Sequence, residues 1–95
     1  MSTRVRVFFT AQGTAALSRL TPAQREQLHR LIQAISLAPR AGLFYRRDLD
    51  NRVLYVASAS DVHLVYTITY RVSEERIFVV DIEVAEWTPR HTNMP

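Results

Sequence analysis

The chain has 95 residues, with 12 basic against 9 acidic side chains for a net charge of +3, and no cysteine. That length makes a single domain, 1–95, with a modest core, and the lack of cysteine excludes disulfides and thiolate metal sites. No apolar run approaches the roughly 18 residues of a membrane span, and MSTRVRVFFT lacks the apolar length and cleavage site of a signal peptide, so a soluble, cytoplasmic protein is expected.

Arg4 to Phe9 alternates, with Val5, Val7 and Phe9 on one face, and predicts a first strand. From Ala11 to Leu20 the pattern turns helical, with Ala16, Leu17 and Leu20 on one stripe and Gly13 weakening the helix. Thr21-Pro22-Ala23-Gln24 is a helix start, with a capping threonine, proline at the first helical position and glutamine completing a capping box. Leu28, Leu31, Ile32 and Ile35 then repeat at helical spacing. Pro39 disfavours helix at Ala38, so the second helix ends there.

Arg40 to Asn51, RAGLFYRRDLDN, reads as an irregular segment carrying Arg40, Arg46 and Arg47, closed by Arg52 and partly neutralised by Asp48 and Asp50. A strand follows from Arg52 to Ala59, and Ser60-Asp61 suits a tight turn. The next strand, VHLVYTITY, alternates: Val62, Leu64, Tyr66, Ile68 and Tyr70 on one face, His63, Val65, Thr67 and Thr69 on the other. Ser73-Glu74-Glu75 turns into a last strand, Ile77 to Val84, with Phe78, Val80, Ile82 and Val84 expected in the core and Asp81 and Glu83 facing out. The tail TPRHTNMP, residues 88–95, reads as loose. The order β-α-α-β-β-β predicts an α+β domain over about 4–87. Its final three strands form an antiparallel meander joined by the N-terminal strand, and a helical pair covers one face of the sheet.

All twelve cations are arginine. Residues 1–71 hold ten of them against four acids, and residues 72–95 hold two against five. A basic body with an acidic last hairpin suits an anionic partner docking on one side.

The stretches FFTAQGTAALSRL, QREQLHRLIQAISLAPRAG, DVHLVYTITY and IFVVDIEV, in this order, resemble the RelE/ParE superfamily of bacterial toxin–antitoxin toxins. That family has a strand, an Ala/Leu-punctuated helix, a longer helix ending near proline, an Arg-apolar-apolar-Tyr strand and an apolar last strand. The resemblance implies the toxin of a type II pair, bound by a cognate acidic antitoxin. It further implies a metal-independent endoribonuclease that inhibits translation by cutting mRNA at the ribosome. The alternatives are a non-enzymatic, ParE-like DNA gyrase poison and a weakened RelE-fold protein that mainly binds its antitoxin.

RNA cleavage by the 2′-hydroxyl needs a base, an acid and cations for the developing charge. Aligned on Tyr66, His63 stands where the resembled family has a phosphate-binding arginine. Val56 and Ser58 stand where members often carry lysine or arginine, and Trp87 stands near a common late arginine. Arg90 and His91 follow the last strand, where members keep a catalytic tyrosine or histidine. His63, Arg90 and His91 are therefore the catalytic candidates, beside the plainer alternatives of a half-exposed strand histidine and a loose tail. Arg46, Arg47 and Arg52 are candidates for the RNA backbone and Tyr45 for stacking a base, beside the alternative of a solvated loop paired with Asp48 and Asp50. The histidines lack metal-ligand spacing and no glycine-rich phosphate loop is present, so no metal and no cofactor is expected.

Overall fold

The computed structural model describes residues 5–61 and 64–86. The elements run β1 (Arg6–Phe9), α1 (Ala11–Ser18), α2 (Pro22–Leu37), a 3-10 turn (Pro39–Ala41), β2 (Leu43–Arg47), β3 (Val53–Ser60), β4 (Leu64–Ser73) and β5 (Arg76–Glu86). They build one five-stranded sheet of order β1-β5-β4-β3-β2. β1 runs parallel to β5 and the other neighbours are antiparallel. The expected α+β architecture is present, with one more strand than the sequence predicts. Leu43–Arg47, expected to be irregular, is an edge strand on β3.

Local chemistry sets both helix starts. Thr10 caps α1, its Oγ1 accepting from the Gly13 N–H at 3.1 Å. Thr21 caps α2 in the expected capping box: Thr21 Oγ1 accepts from Gln24 N–H at 3.2 Å and Gln24 Oε1 accepts from Thr21 N–H at 2.9 Å. α2 stops at Ala38, which leaves the helical region before Pro39 with φ −145° and ψ 71°. No helix among the described residues is long and apolar enough to cross a membrane.

The helices cover one face of the sheet. Ala16, Leu28, Leu31 and Ile35 pack with Tyr66, Ile68, Tyr70, Ile77, Val79 and Ile82 into one cluster, with Val7, Phe9 and Ile32 packed against it. The phase of β5 differs from the simple alternation. Thr69 pairs with Asp81 but Tyr70 pairs with Val79, so Val80 is an extra residue, a β-bulge. The bulge turns Ile77 and Val79 into the core, 1% exposed each, and Phe78 to the opposite face. Phe78 and Val80 therefore leave the expected core set, whereas Asp81 and Glu83 face away from the helices as expected.

The Val79 carbonyl, next to the bulge, is where α1 is attached. It accepts from the Thr10 N–H at 3.0 Å and from Thr10 Oγ1 at 3.2 Å. Gly13 lies so close that a β-carbon there would overlap this carbonyl oxygen. The glycine that lowers helix propensity thus permits the contact between helix and sheet.

Two effects oppose each other in Gly13→Ala. Helix propensity alone favours alanine by about 1 kcal/mol, while overpacking against backbone costs about 1–3 kcal/mol. Because the blocking atom is a backbone oxygen, the packing term wins. Urea unfolding is expected to show net destabilisation, and a more stable variant would contradict this packing of α1 on β5.

Candidate functional site

Cross-strand register assigns every described strand residue to a face. With Tyr66, Ile68 and Tyr70 under the helices, the opposite, bare face carries Val65, Thr67, Thr69, Arg71 and Ser73 of β4. From β5 it receives Arg76, Phe78, Asp81 and Glu83, and from β3 Leu54, Val56, Ser58 and Ser60. β1 contributes Arg6 and Phe8, which pair with Arg76 and Phe78. β2 contributes Arg46, opposite Leu54.

These side chains are sorted along the strands. At the end near the Glu74–Glu75 turn stand Arg6, Arg71 and Arg76 around an aromatic pair. The Phe8 and Phe78 rings stack with centroids 5.6 Å apart at 24°. The Arg71 guanidinium lies over the Phe78 ring at 4.3 Å. Leu54 is only 2% exposed although no helix covers it; it stands in the same row, with the long Arg46 side chain as its cross-strand neighbour. The middle of the face is different. Thr69 pairs with Val56 and Asp81, Thr67 with Ser58 and Glu83, and Ser58 and Thr67 hydroxyls meet at 3.2 Å. Two acids and a hydroxyl row therefore occupy the middle, and Val56 and Ser58 bring no charge to it.

The loop candidates separate. Arg52 is held inside its own loop, Nε on Asp48 Oδ2 at 3.2 Å and Nη2 on Asp50 Oδ2 at 2.6 Å. Asp48 Oδ1 also accepts the N–H groups of Asp50 and Arg52, at 2.9 Å each. The Arg52 backbone N–H, ahead of the guanidinium beside it, holds the Asp48 carboxyl below the usual range. Arg47 donates to the Asn51 carbonyl at 2.9 Å, and Arg46 lies 5.2 Å from the Tyr45 ring centroid. Neither has an acid partner among the described residues, because Asp48 and Asp50 both serve Arg52. A bulge at Tyr45 sends Arg46 to the bare face, beside Leu54, and Arg47 to the other, beside Val53. Of the basic cluster of the sequence, Arg52 is thus a loop tie, while Arg46 and Arg47 stand on opposite faces of an edge strand without an acid partner among the described residues. That edge is also apolar: Leu43 is 73% exposed, Phe44 62% and Tyr45 51%.

His63, Arg90 and His91 lie outside the described residues, as does Trp87. Among the described residues no group of three His, Cys, Asp or Glu side chains converges as a metal site would. Sequence reasoning missed Arg6, Phe8, Arg71, Arg76 and Phe78 as one group. The available signal was a repeat, Arg-Val-Phe at 6–8 and Arg-Ile-Phe at 76–78, which only the parallel register of β1 on β5 turns into adjacent pairs.

One buried group fixes the approach to β2. Tyr70 is fully buried, stacks on Tyr55 with centroids 5.6 Å apart, and donates its hydroxyl to the Pro39 carbonyl at 2.9 Å. Gly42 passes directly over that hydroxyl, where a β-carbon would overlap it. Burial pushes the Tyr70 hydroxyl above its ordinary pKa, and the Gly42 N–H facing it draws it part of the way back. Tyr66 is raised too, by burial and then by neighbouring Asp61, whose Oδ2 lies 3.5 Å from its hydroxyl.

Among the described residues the architecture is thus a sheet with one face under two helices and no element over the other. No family model matches the sequence, and no curated protein does. Among solved structures the chain is similar to a chain of the toxin–antitoxin complex RelBE2 from Mycobacterium tuberculosis, with a TM-score of 0.63 and 21% identity over 87% of this chain and 93% of that one. At that identity the likeness is one of fold.

Tyr70→Phe is expected to cost about 1–3 kcal/mol, since the Pro39 carbonyl loses its donor. The sign with pH follows from the raised hydroxyl. The unfolded tyrosine ionises near pH 10 and the folded one higher, so this stability is complete below about pH 10 and falls above it. Denaturation from pH 8 to 11 should show a shallower alkaline loss in Tyr70→Phe than in the parent; equal slopes would contradict the assignment.

Proposed function

We propose that the chain is the toxin of a type II toxin–antitoxin pair and cleaves mRNA at the ribosome, stopping translation. The observation that carries this is the fold likeness to a chain of a toxin–antitoxin complex, spanning nearly the whole of both chains. The bare sheet face offers the surface for RNA: Arg46 and Arg71 beside the aromatic pair suit a backbone and its bases. His63, which in sequence comes just before β4, supplies a further cation, and Arg90 and His91, which in sequence follow β5, supply proton transfer. Tyr45 and Arg47 extend the contact along the edge, while Arg52 holds the loop that presents them.

A second function has its own support. Asp81 and Glu83 on the bare face oppose an approaching phosphate, and no arginine of the described residues stands in the rows of Thr67 and Thr69. This favours a toxin that does not cut RNA, either a gyrase poison or a weakened member that mainly binds its antitoxin. Induction without antitoxin, followed by primer extension on cellular mRNA, separates the two. Discrete new 5′ ends within minutes are expected for the nuclease; growth arrest with intact mRNA selects the non-cleaving toxin, and unimpaired growth removes toxicity altogether. Within the nuclease case, His63→Arg should keep cleavage and His63→Ala lose it, since arginine restores a permanent forked cation. Loss in both would make His63 the proton carrier instead.

The antitoxin is expected at the β2 edge. Leu43 pairs across to the bare face and Phe44 to the helix side, yet both are exposed. An extended segment continuing the sheet would cover both, whereas a helix would cover one. Arg40, Arg46 and Arg47, with no acid between residues 37 and 47, favour an acidic partner. Arg46→Glu with Arg47→Glu should weaken binding of the product of an adjacent antitoxin-like reading frame about tenfold at low salt. Unchanged affinity would move the docking surface elsewhere.

A further inference from the structure

The two Arg-x-Phe tripeptides lie side by side. β1 pairs parallel to β5 with Arg6 against Arg76 and Phe8 against Phe78, all four on the bare face. Two exposed arginines as direct cross-strand neighbours repel each other and weaken the pairing that holds β1. Neither has an acid partner among the described residues: the ion pairs there all belong to Arg52. Glu74 and Glu75, next along the hairpin, form its tip at φ 50° and 61° and make no pair with either arginine. An anion seated between Arg6 and Arg76 relieves the repulsion.

The aromatic half of the motif supplies the second contact. Along one row of the sheet stand Arg71 on β4, Phe78 on β5 and Phe8 on β1. The guanidinium covers one side of Phe78 at 4.3 Å and Phe8 stacks on the other at 5.6 Å. Among the described residues β1 is the edge of the sheet, so this column of planar groups ends in Phe8, 41% exposed. A further planar group can continue the column. The arginine pair sits two residues toward the hairpin on the same face, about 7 Å away along the strands. That is the scale of the step from a base to the phosphate of its own nucleotide.

We infer that the Arg6–Arg76 and Phe8–Phe78 pairs form a nucleotide-binding subsite for single-stranded RNA, with a phosphate between the arginines and a base stacked on Phe8. It rests on the choice of RNA as ligand made above, and adds a contact at the hairpin end of the bare face. Arg71 and Leu64 are seven residues apart on β4, so the two ends are separated by roughly 20 Å, and a strand of RNA laid along the face reaches both. A base inside a duplex has both faces covered by its neighbours, so the column favours a single strand, whose bases can be splayed out.

The test is fluorescence anisotropy of the full chain with a 5′-labelled twelve-nucleotide oligouridine, an abasic strand of equal length and a duplex of the same sequence. The parent is expected to bind the oligouridine more tightly than the other two. Phe8→Leu should weaken oligouridine binding about tenfold, the usual scale of one base–aromatic stack, and leave the abasic strand unaffected. Arg6→Gln with Arg76→Gln should weaken both single strands, and should flatten the dependence of log affinity on log salt by about 0.7 for the one phosphate lost. Thermal melts verify that the variants fold. Equal losses on oligouridine and abasic strand in Phe8→Leu would make Phe8 a packing residue and overturn the subsite. Undiminished binding in all variants, with a parent that binds RNA, would overturn the subsite and leave the RNA function standing. A parent that binds no RNA would overturn both, and that outcome is told apart by the parent's own titration.

Discussion

β5 changes phase once, at Val80, and most of the molecule depends on where it does so. Beyond the bulge, Ile82 and Val84 continue the core face; before it, Ile77 and Val79 do. An unbroken alternation would instead direct Phe78 and Val80 inward and Ile77 and Val79 outward. The bulge puts two apolar side chains under the helices and releases Phe78 to the free face, where Arg71 and Phe8 meet it. The adjoining Val79 carbonyl then receives Thr10 through both its backbone and its side chain, and Gly13 closes over it. One inserted residue thereby sets the core, the attachment of α1 and the chemistry of the opposite face.

The two surfaces left over differ in what they favour. The bare face grades from arginine and phenylalanine at the hairpin end to hydroxyls and acids in the middle, so a polyanion gains most at one end. The β2 edge pairs exposed Leu43, Phe44 and Tyr45 with arginines whose nearest acids are already engaged by Arg52. An exposed edge of that composition is an aggregation hazard when left open, and arginines and a bulge are devices that blunt it. They also define what a partner must bring, namely extended backbone and negative charge. Tyr70 positions the second of these surfaces, because its hydroxyl fixes Pro39 from within the core and so sets how the chain enters β2.

Much of this was legible in the sequence because the responsible signals are local. Thr21, Pro22 and Gln24 announce their helix start, and Leu28, Leu31 and Ile35 their buried stripe. Leu64 to Tyr70 alternates without interruption and is buried accordingly. β2 was not legible: Leu43-Phe44-Tyr45 is a continuous apolar run followed by two arginines, and a two-sided, exposed edge leaves no alternation to detect. The phase of Phe78 was hidden because a bulge has no composition of its own here. The Arg-x-Phe repeat was visible but had no meaning until β1 and β5 were known to pair in register. Arg46, Arg47 and Arg52 are neighbours in sequence, and only the Asp48–Arg52 loop and the bulge at Tyr45 separate their roles. The candidates that came from family resemblance, His63, Arg90 and His91, lie outside the described residues and stand as proposals.

If the chain binds RNA as proposed, the bare sheet face, and not the arginine-bearing surface of the helices, is where the two meet. The most direct measurement is NMR titration of isotope-labelled protein with a single-stranded oligouridine, following the backbone amides. Shifts are expected to concentrate in β1, β4 and β5 around Phe8, Arg71 and Phe78, with Arg19, Arg25 and Arg30 on the helical side unmoved. Shifts centred on those helical arginines, with β1 and β5 silent, would contradict that placement.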